Sequence, residues 1–203
     1  MPVRVKICGV CSVEDGHASV AAGADFLGLN FHPSSPRFVD GETALAIARS
    51  VTGAGLVGVF VDAPRARVEE IGARVGLHLV QFHGDEPPAY CRGWRWPVIK
   101  AIQPRAGEDA AALAACYDVD YILLDSHVPG QHGGTGVALA PAAARGLPAD
   151  RLFVAGGLTP DTVGAVVRTL RPFAVDVASG VEERPGRKDH AKVEAFIRNA
   201  KQA

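Results

Sequence analysis

"GLVGVFV", residues 55–61, contains no polar side chain and three valines. A strand with one face in water would alternate apolar and polar residues, and an amphipathic helix would need a longer stretch with an apolar stripe. Continuous apolar character over seven residues instead suits a strand covered on both faces, as in a parallel sheet packed under helices. "YILLD" (121–125) and "RLFVAGG" (151–157) read the same way.

Moving outward along the chain, comparable runs begin near Val3, Phe26, Leu56, His78, Val98, Tyr121, Leu152 and Ala174. Their starts are separated by 23, 30, 22, 20, 23, 31 and 22 residues, a regular repeat with no linker or low-complexity tract. Helix-like segments lie between them: "VEDGHASVAAGA", "GETALAIARSV", "PRARVEEIGARV", "PPAYCRGW", "EDAAALAACY", "VALAPAAARG", "TPDTVGAVVRTL" and "KDHAKVEAFIRNA". Eight β-α units in 203 residues predict an α/β protein, a single (β/α)8 barrel over residues 1–203. A doubly wound open sheet competes, but no G-x-G-x-x-G follows the first strand.

The two wide spacings follow strands 2 and 6, so their extra length falls in "HPSSPRFVD" (32–40) and "SHVPGQHGGTG" (126–136). In a barrel such β-to-α loops build the active-site face. One carries Arg37, Ser34 and Ser35 and the other a glycine-rich backbone, both suited to anions.

Composition narrows the partner. With 21 basic against 22 acidic residues and no basic run, nothing in the chain is built to follow a phosphate backbone or an anionic bilayer. No apolar run approaches the roughly 20 residues of a membrane span, and the first strand begins at once without a leader pattern. The expectation is a small-molecule partner, no nucleic acid, no membrane, and a cytoplasmic monomer or homodimer. Four cysteines are too few for a disulfide framework.

Strand 7 ends in Gly156-Gly157 and strand 8 is followed by Ser179-Gly180, the two places where a barrel commonly binds phosphate through backbone N–H groups. Asp125 closes "YILLD" and would point into the barrel mouth; a cap or loop ion pair is the plainer alternative. Alternation in "VRVKIC" puts Val3, Val5 and Ile7 on one face and Arg4, Lys6 and Cys8 on the other. If the valines meet the helices, Lys6 and Cys8 point inward, where the cation would favour a thiolate. Lys6 and Asp176 then face each other as strand 8 closes on strand 1. Cys8-Gly-Val-Cys11 also has the spacing of a redox or zinc motif. The first wants a thioredoxin-like fold and the second four ligands, and Cys91 and Cys116 have no paired spacing. His127 and His132 carry no metal signature, so no metal is expected.

In order along the chain, "VKICG" (5–9), "GLNFHPSSPRFV" (28–39), "VGVFV" (57–61), "QFHGDE" (81–86), "LLD" with "GGTG" (123–136), "AGGL" (155–158), "DVASGVE" (176–182) and "PGRKD" (185–189) resemble the phosphoribosylanthranilate isomerase family. The resemblance implies an Amadori rearrangement in tryptophan biosynthesis, from N-(5'-phosphoribosyl)anthranilate to 1-(2-carboxyphenylamino)-1-deoxyribulose 5-phosphate. It implies Cys8 as general base, Asp125 as general acid, Arg37 on the anthranilate carboxylate, and Gly156, Gly157, Ser179 and Gly180 around the phosphate. No cofactor is implied, because a protonated imine is its own electron sink. A thiol near 8.5 and an aspartate near 3.9 would need shifts in opposite directions, with Lys6 and partial burial as the expected causes. One departure stands out: the family's usual Phe-Asp-Trp after "GGTG" is replaced by "VALAP" (137–141), which bears on the shape of the aryl pocket. Other phosphosugar barrels fit less well. An epimerase-like barrel would need metal-binding histidines at strand ends, and an indole-glycerol-phosphate synthase-like one a lysine and glutamate set that has no counterpart here.

Overall fold

A computed structural model describes residues 2–105, 107–125 and 141–203. The apolar runs form β1 (Arg4–Cys8), β2 (Phe26–Asn30), β3 (Gly55–Phe60), β4 (Leu79–Phe82), β5 (Val98–Ile102), β6 (Tyr121–Asp125), β7 (Leu152–Ala155) and β8 (Ala174–Val177). Each pairs in parallel with the next and β8 pairs with β1, so the sheet closes into the expected barrel.

The helices are α1 (Val13–Ala21), α2 (Gly41–Ser50), α3 (Arg65–Val75), α4 (Ala110–Ala115), α5 (Val163–Leu170) and α6 (His190–Lys201). Caps set where several begin. Ser12 Oγ accepts from the Asp15 amide at 3.1 Å, Asp40 Oδ1 from Thr43 at 2.7 Å and Asp189 Oδ1 from Lys192 at 3.1 Å. Each satisfies an amide that the first helical turn leaves without a partner.

Two expected helices differ. "PPAYCRGW" (87–94) forms turns, and Gly93 at φ +68° leaves the helical region. Aromatic packing orders it instead: Tyr90 and Trp94 sit 5.1 Å from the Phe82 ring, and Tyr90 Oη donates to the Ala63 carbonyl at 2.6 Å. Of "VALAPAAARG", residues 137–140 lie outside the described residues, and Pro141–Ala144 form a 3-10 turn.

Strand alternation sorts the core into two layers. Val5, Ile7, Leu27 and Val175 pack outward under the helices, whereas Phe26, Val57, Leu79, Ile99, Leu123 and Phe153 fill the barrel. Phe26, Tyr121, Phe153 and Phe173 cluster inside, and Arg4 lies over the Phe173 ring at 4.7 Å. Apart from Arg4, the inward set at the N-terminal end is thus apolar and aromatic, and the other polar inward residues lie further along the strands. A short antiparallel hairpin of β9 (Glu182–Arg184) and β10 (Arg187–Lys188) follows β8 and turns through Gly186 at φ +81°.

Candidate active site

Lys6 and Asp176 are register partners across the β1–β8 seam, and their side chains meet at 2.8 Å with exposures of 0% and 8%. The expected pairing across the closure is therefore present. Burial alone would lower the lysine, but Asp176 and Cys8 outweigh it and hold Lys6 charged. Two residues on, Cys8 ends β1 on the same face. Gly28 on β2 makes the space: a Cβ there would lie 2.8 Å from Cys8 Sγ and 3.1 Å from Lys6 Nζ. Burial pushes the Cys8 thiol up; Lys6 opposes the rise and Asp176 adds to it. The expectation that Lys6 would leave a net acidified thiol is corrected here, because desolvation of the thiolate is the larger effect.

Asp125 ends β6 at the same end of the barrel. Its Oδ2 meets His83 Nε2 at 3.2 Å and accepts from Gln103 Nε2 at 3.0 Å. Behind His83, the Gln81 amide nitrogen lies 2.8 Å from Nδ1. Gln81 is fully buried on β4. Three side chains from the ends of β4 and β5 thus converge behind this carboxylate.

Arg37 reaches the site from the loop between β2 and α2. Its Nε and Nη2 donate to Glu182 at 2.8 and 2.6 Å. Gly9 permits the approach, because a Cβ at its φ of +71° would collide with Arg37 Cδ at 2.5 Å. Glu182 also accepts from Lys188 Nζ at 3.0 Å, and Lys188 donates to the Cys8 carbonyl at 2.5 Å and the Ala178 carbonyl at 3.4 Å. Burial works against the Glu182 carboxylate, but Arg37 and Lys188 hold it below the usual glutamate range. One hairpin thereby ties the ends of β1 and β8 to the Arg37 loop.

Gly156 and Gly157 follow β7 with φ of +90° and +65°, and Ser179 and Gly180 sit in a 3-10 turn after β8. The two loops touch: a Cβ on Gly180 would fall 1.9 Å from the Leu158 carbonyl oxygen. The amides of Gly157, Ser179 and Gly180 make no hydrogen bond to another described residue. Donors from two strands' loops are thus brought side by side.

Of the predicted site residues, Cys8 and Asp125 are the last residues of their strands, and Arg37, Gly156, Gly157, Ser179 and Gly180 lie in segments that follow strand C-termini. The loop 126–136, with His127 and His132, and "VALA" (137–140) lie outside the described residues. Sequence reasoning assigned no part to Gln81, His83, Gln103, Glu182 or Lys188. The available signal was period two: counting inward from Leu79 reaches Gln81 and His83, and from Ile99 reaches Gln103. Glu182 and Lys188 had no such signal. All four cysteines are free, and Cys11 donates to the carbonyls of Gly9 and Arg37 at 3.5 and 3.4 Å. Among the described residues no group of His, Cys, Asp or Glu is placed to hold a metal, and no helix is long and apolar enough to cross a membrane.

Comparison with known proteins gives a consistent result. The family model described as N-(5'phosphoribosyl)anthranilate (PRA) isomerase matches residues 5–199. An N-(5'-phosphoribosyl)anthranilate isomerase of Myxococcus xanthus is 48% identical over 99% of this chain and 97% of its own length. The crystal structure of phosphoribosyl anthranilate isomerase from Thermotoga maritima superposes with a TM-score of 0.88 at 39% identity, covering 99% of this chain and all of that one. A crystal structure of phosphoribosyl anthranilate isomerase in complex with reduced 1-(o-carboxyphenylamino)-1-deoxyribulose 5-phosphate matches with a TM-score of 0.84 at 37% identity, over 99% of this chain and all of that one.

Proposed function

The chain belongs to the N-(5'-phosphoribosyl)anthranilate isomerase family, aldose-ketose isomerases of tryptophan biosynthesis, and from that premise we propose that Cys8 and Asp125 divide its proton transfers. Asp125 is the general acid. Its proton goes to the furanose ring oxygen as the C1–O bond breaks, and the anilino nitrogen lone pair forms the C=N bond of a protonated imine. Cys8, as thiolate, takes the C2 proton; that electron pair forms C1=C2 and the imine pair returns to nitrogen, giving an enolamine. Tautomerisation moves a proton from the C2 hydroxyl to C1 and leaves the ketone.

The observation that carries this reading is the placement of a thiol and a carboxylate at the C-terminal ends of β1 and β6, on the inward face of one barrel mouth. A thiolate short of water is a strong base once formed, and Lys6 beside it favours its formation. Arg37, gripped by Glu182 along one edge, would meet the anthranilate carboxylate with Nη1, which has no partner among the described residues. The amides of Gly157, Ser179 and Gly180, with Gly156, would take the phosphate. The solved relative carrying the reduced phosphorylated ligand supports a substrate of that kind. We place this chemistry on residues 1–203 acting as one domain, in the cytoplasm, as a monomer or homodimer.

The experiment is a fluorescence assay of phosphoribosylanthranilate made in situ by its transferase. Reduced wild-type protein is expected to consume it, and Asp125→Asn to lose about 10²–10⁴-fold in turnover. An inactive wild-type protein would overturn the activity, and an active Asp125→Asn the assignment of the acid.

A further inference from the structure

We propose that His83 is a positioning residue for Asp125, held by the buried Gln81 amide as the neutral tautomer with its proton on Nε2. This rests on the reading of Asp125 as general acid and extends it. The Gln81 amide nitrogen, 2.8 Å from His83 Nδ1, can only donate, so Nδ1 is an acceptor and the ring proton is on Nε2. Nε2, 3.2 Å from Asp125 Oδ2, then donates to the carboxylate.

The arrangement has a visible cost. Gln81 Oε1 is the buried side-chain polar atom without a hydrogen-bond partner among the described residues. Turning the amide over would let that oxygen accept from an Nδ1–H, with the ring then either charged or bare at Nε2 against Asp125. The orphaned oxygen thus accompanies the neutral Nε2–H tautomer, in which the amide nitrogen faces Nδ1.

Gln103 Nε2 lies 3.4 Å from His83 Nε2 but closer, at 3.0 Å, to Asp125 Oδ2, so its proton goes to the carboxylate and Oδ2 accepts twice. As the Asp125 proton leaves for the ring oxygen, negative charge develops on a carboxylate already faced by two fixed donors. Such preorganised donors act on the transition state rather than on substrate binding. No proton leaves His83 in the step.

The test is a set of variants read by steady-state kinetics and by 15N NMR of the histidine ring. His83→Leu is expected to lower kcat by about 10²-fold, as for loss of one donor to a developing anion, with KM changed less than about twofold. His83→Gln, which can present an N–H to Oδ2, is expected to recover at least about tenfold of that loss. Added to Asp125→Asn, His83→Leu should cost little further, because it acts through the residue already removed. The ring should show a pyridine-type Nδ1 and a pyrrole-type Nε2 in the wild type, with that preference lost in Gln81→Met. An undiminished kcat in His83→Leu, an additive double variant, or a pyrrole-type Nδ1 would each overturn the proposal. If Asp125→Asn alone keeps wild-type turnover, the assignment of the acid fails instead, and the ring spectrum still decides the tautomer.

Discussion

Cys8 lies beside the Lys6 ammonium at the end of β1, whereas the Cys11 thiol is spent on the carbonyls of Gly9 and Arg37. The two share a C-x-x-C spacing but not an environment. Cys8→Ser is expected to cut turnover by about 10²–10⁴-fold, since a serine hydroxyl scarcely ionises near neutral pH. Cys11→Ser should stay within about threefold of wild type, because it keeps a short donor for the same carbonyls. Equal losses in the two, or sensitivity to a chelator, would reopen the paired-thiol reading. The pH profile carries its own sign. With Cys8 as the proposed base the active form would be the thiolate, which exists above the thiol pKa, and burial pushes that pKa up. In kcat/KM the rising limb should therefore extend beyond the ordinary thiol value of about 8.5, and a plateau already reached at pH 7 would contradict the assignment.

The β-to-α loops hold the site because different glycines there answer different constraints. Gly180 needs space, since a side chain would strike the Leu158 carbonyl; Gly157 needs its left-handed φ and has nothing within 4 Å of where a Cβ would stand. Gly157→Ala should thus cost about 1–2 kcal/mol of backbone strain with a small change in KM. Gly180→Ala must push apart the loops after β7 and β8, and should raise KM by about tenfold as well as lower the unfolding midpoint, as overpacking does. Kinetics and thermal unfolding on both variants check this; the reverse order in KM would argue against a phosphate at that contact. Helix starts were legible because caps are local, as with Ser12, Asp40 and Asp189. The turns of 87–94 were not legible because what holds them, the Phe82 ring and the Ala63 carbonyl, lies outside the segment.

Across the whole barrel, closure of β8 on β1 is where stability and chemistry meet. Asp176→Asn would leave Lys6 buried without its partner, and loss of one member of a buried pair costs about 3–5 kcal/mol. Thermal unfolding is expected to remain one cooperative transition at a much lower midpoint, with turnover reduced through the neighbouring Cys8. An unchanged midpoint would count against the pairing, and two separate transitions against a single domain. The eight strands, their order and their inward faces were set by the sequence itself, because continuous apolar runs, alternation and turn residues act over a few neighbours. That is why Lys6, Cys8, Asp125 and Asp176 could be placed from "VRVKIC", "YILLD" and "AVDV" alone. The Lys6–Asp176 contact followed from that register, whereas only the tertiary structure decided the other contacts. Arg37 finds Glu182 across 145 residues and Lys188 finds the Cys8 carbonyl across 180. The net rise of the Cys8 thiol depends in the same way on how much water the closed barrel excludes. Contacts made through loops and the extent of desolvation are properties of the folded arrangement, so strand alternation, which placed Lys6 against Asp176, does not encode them.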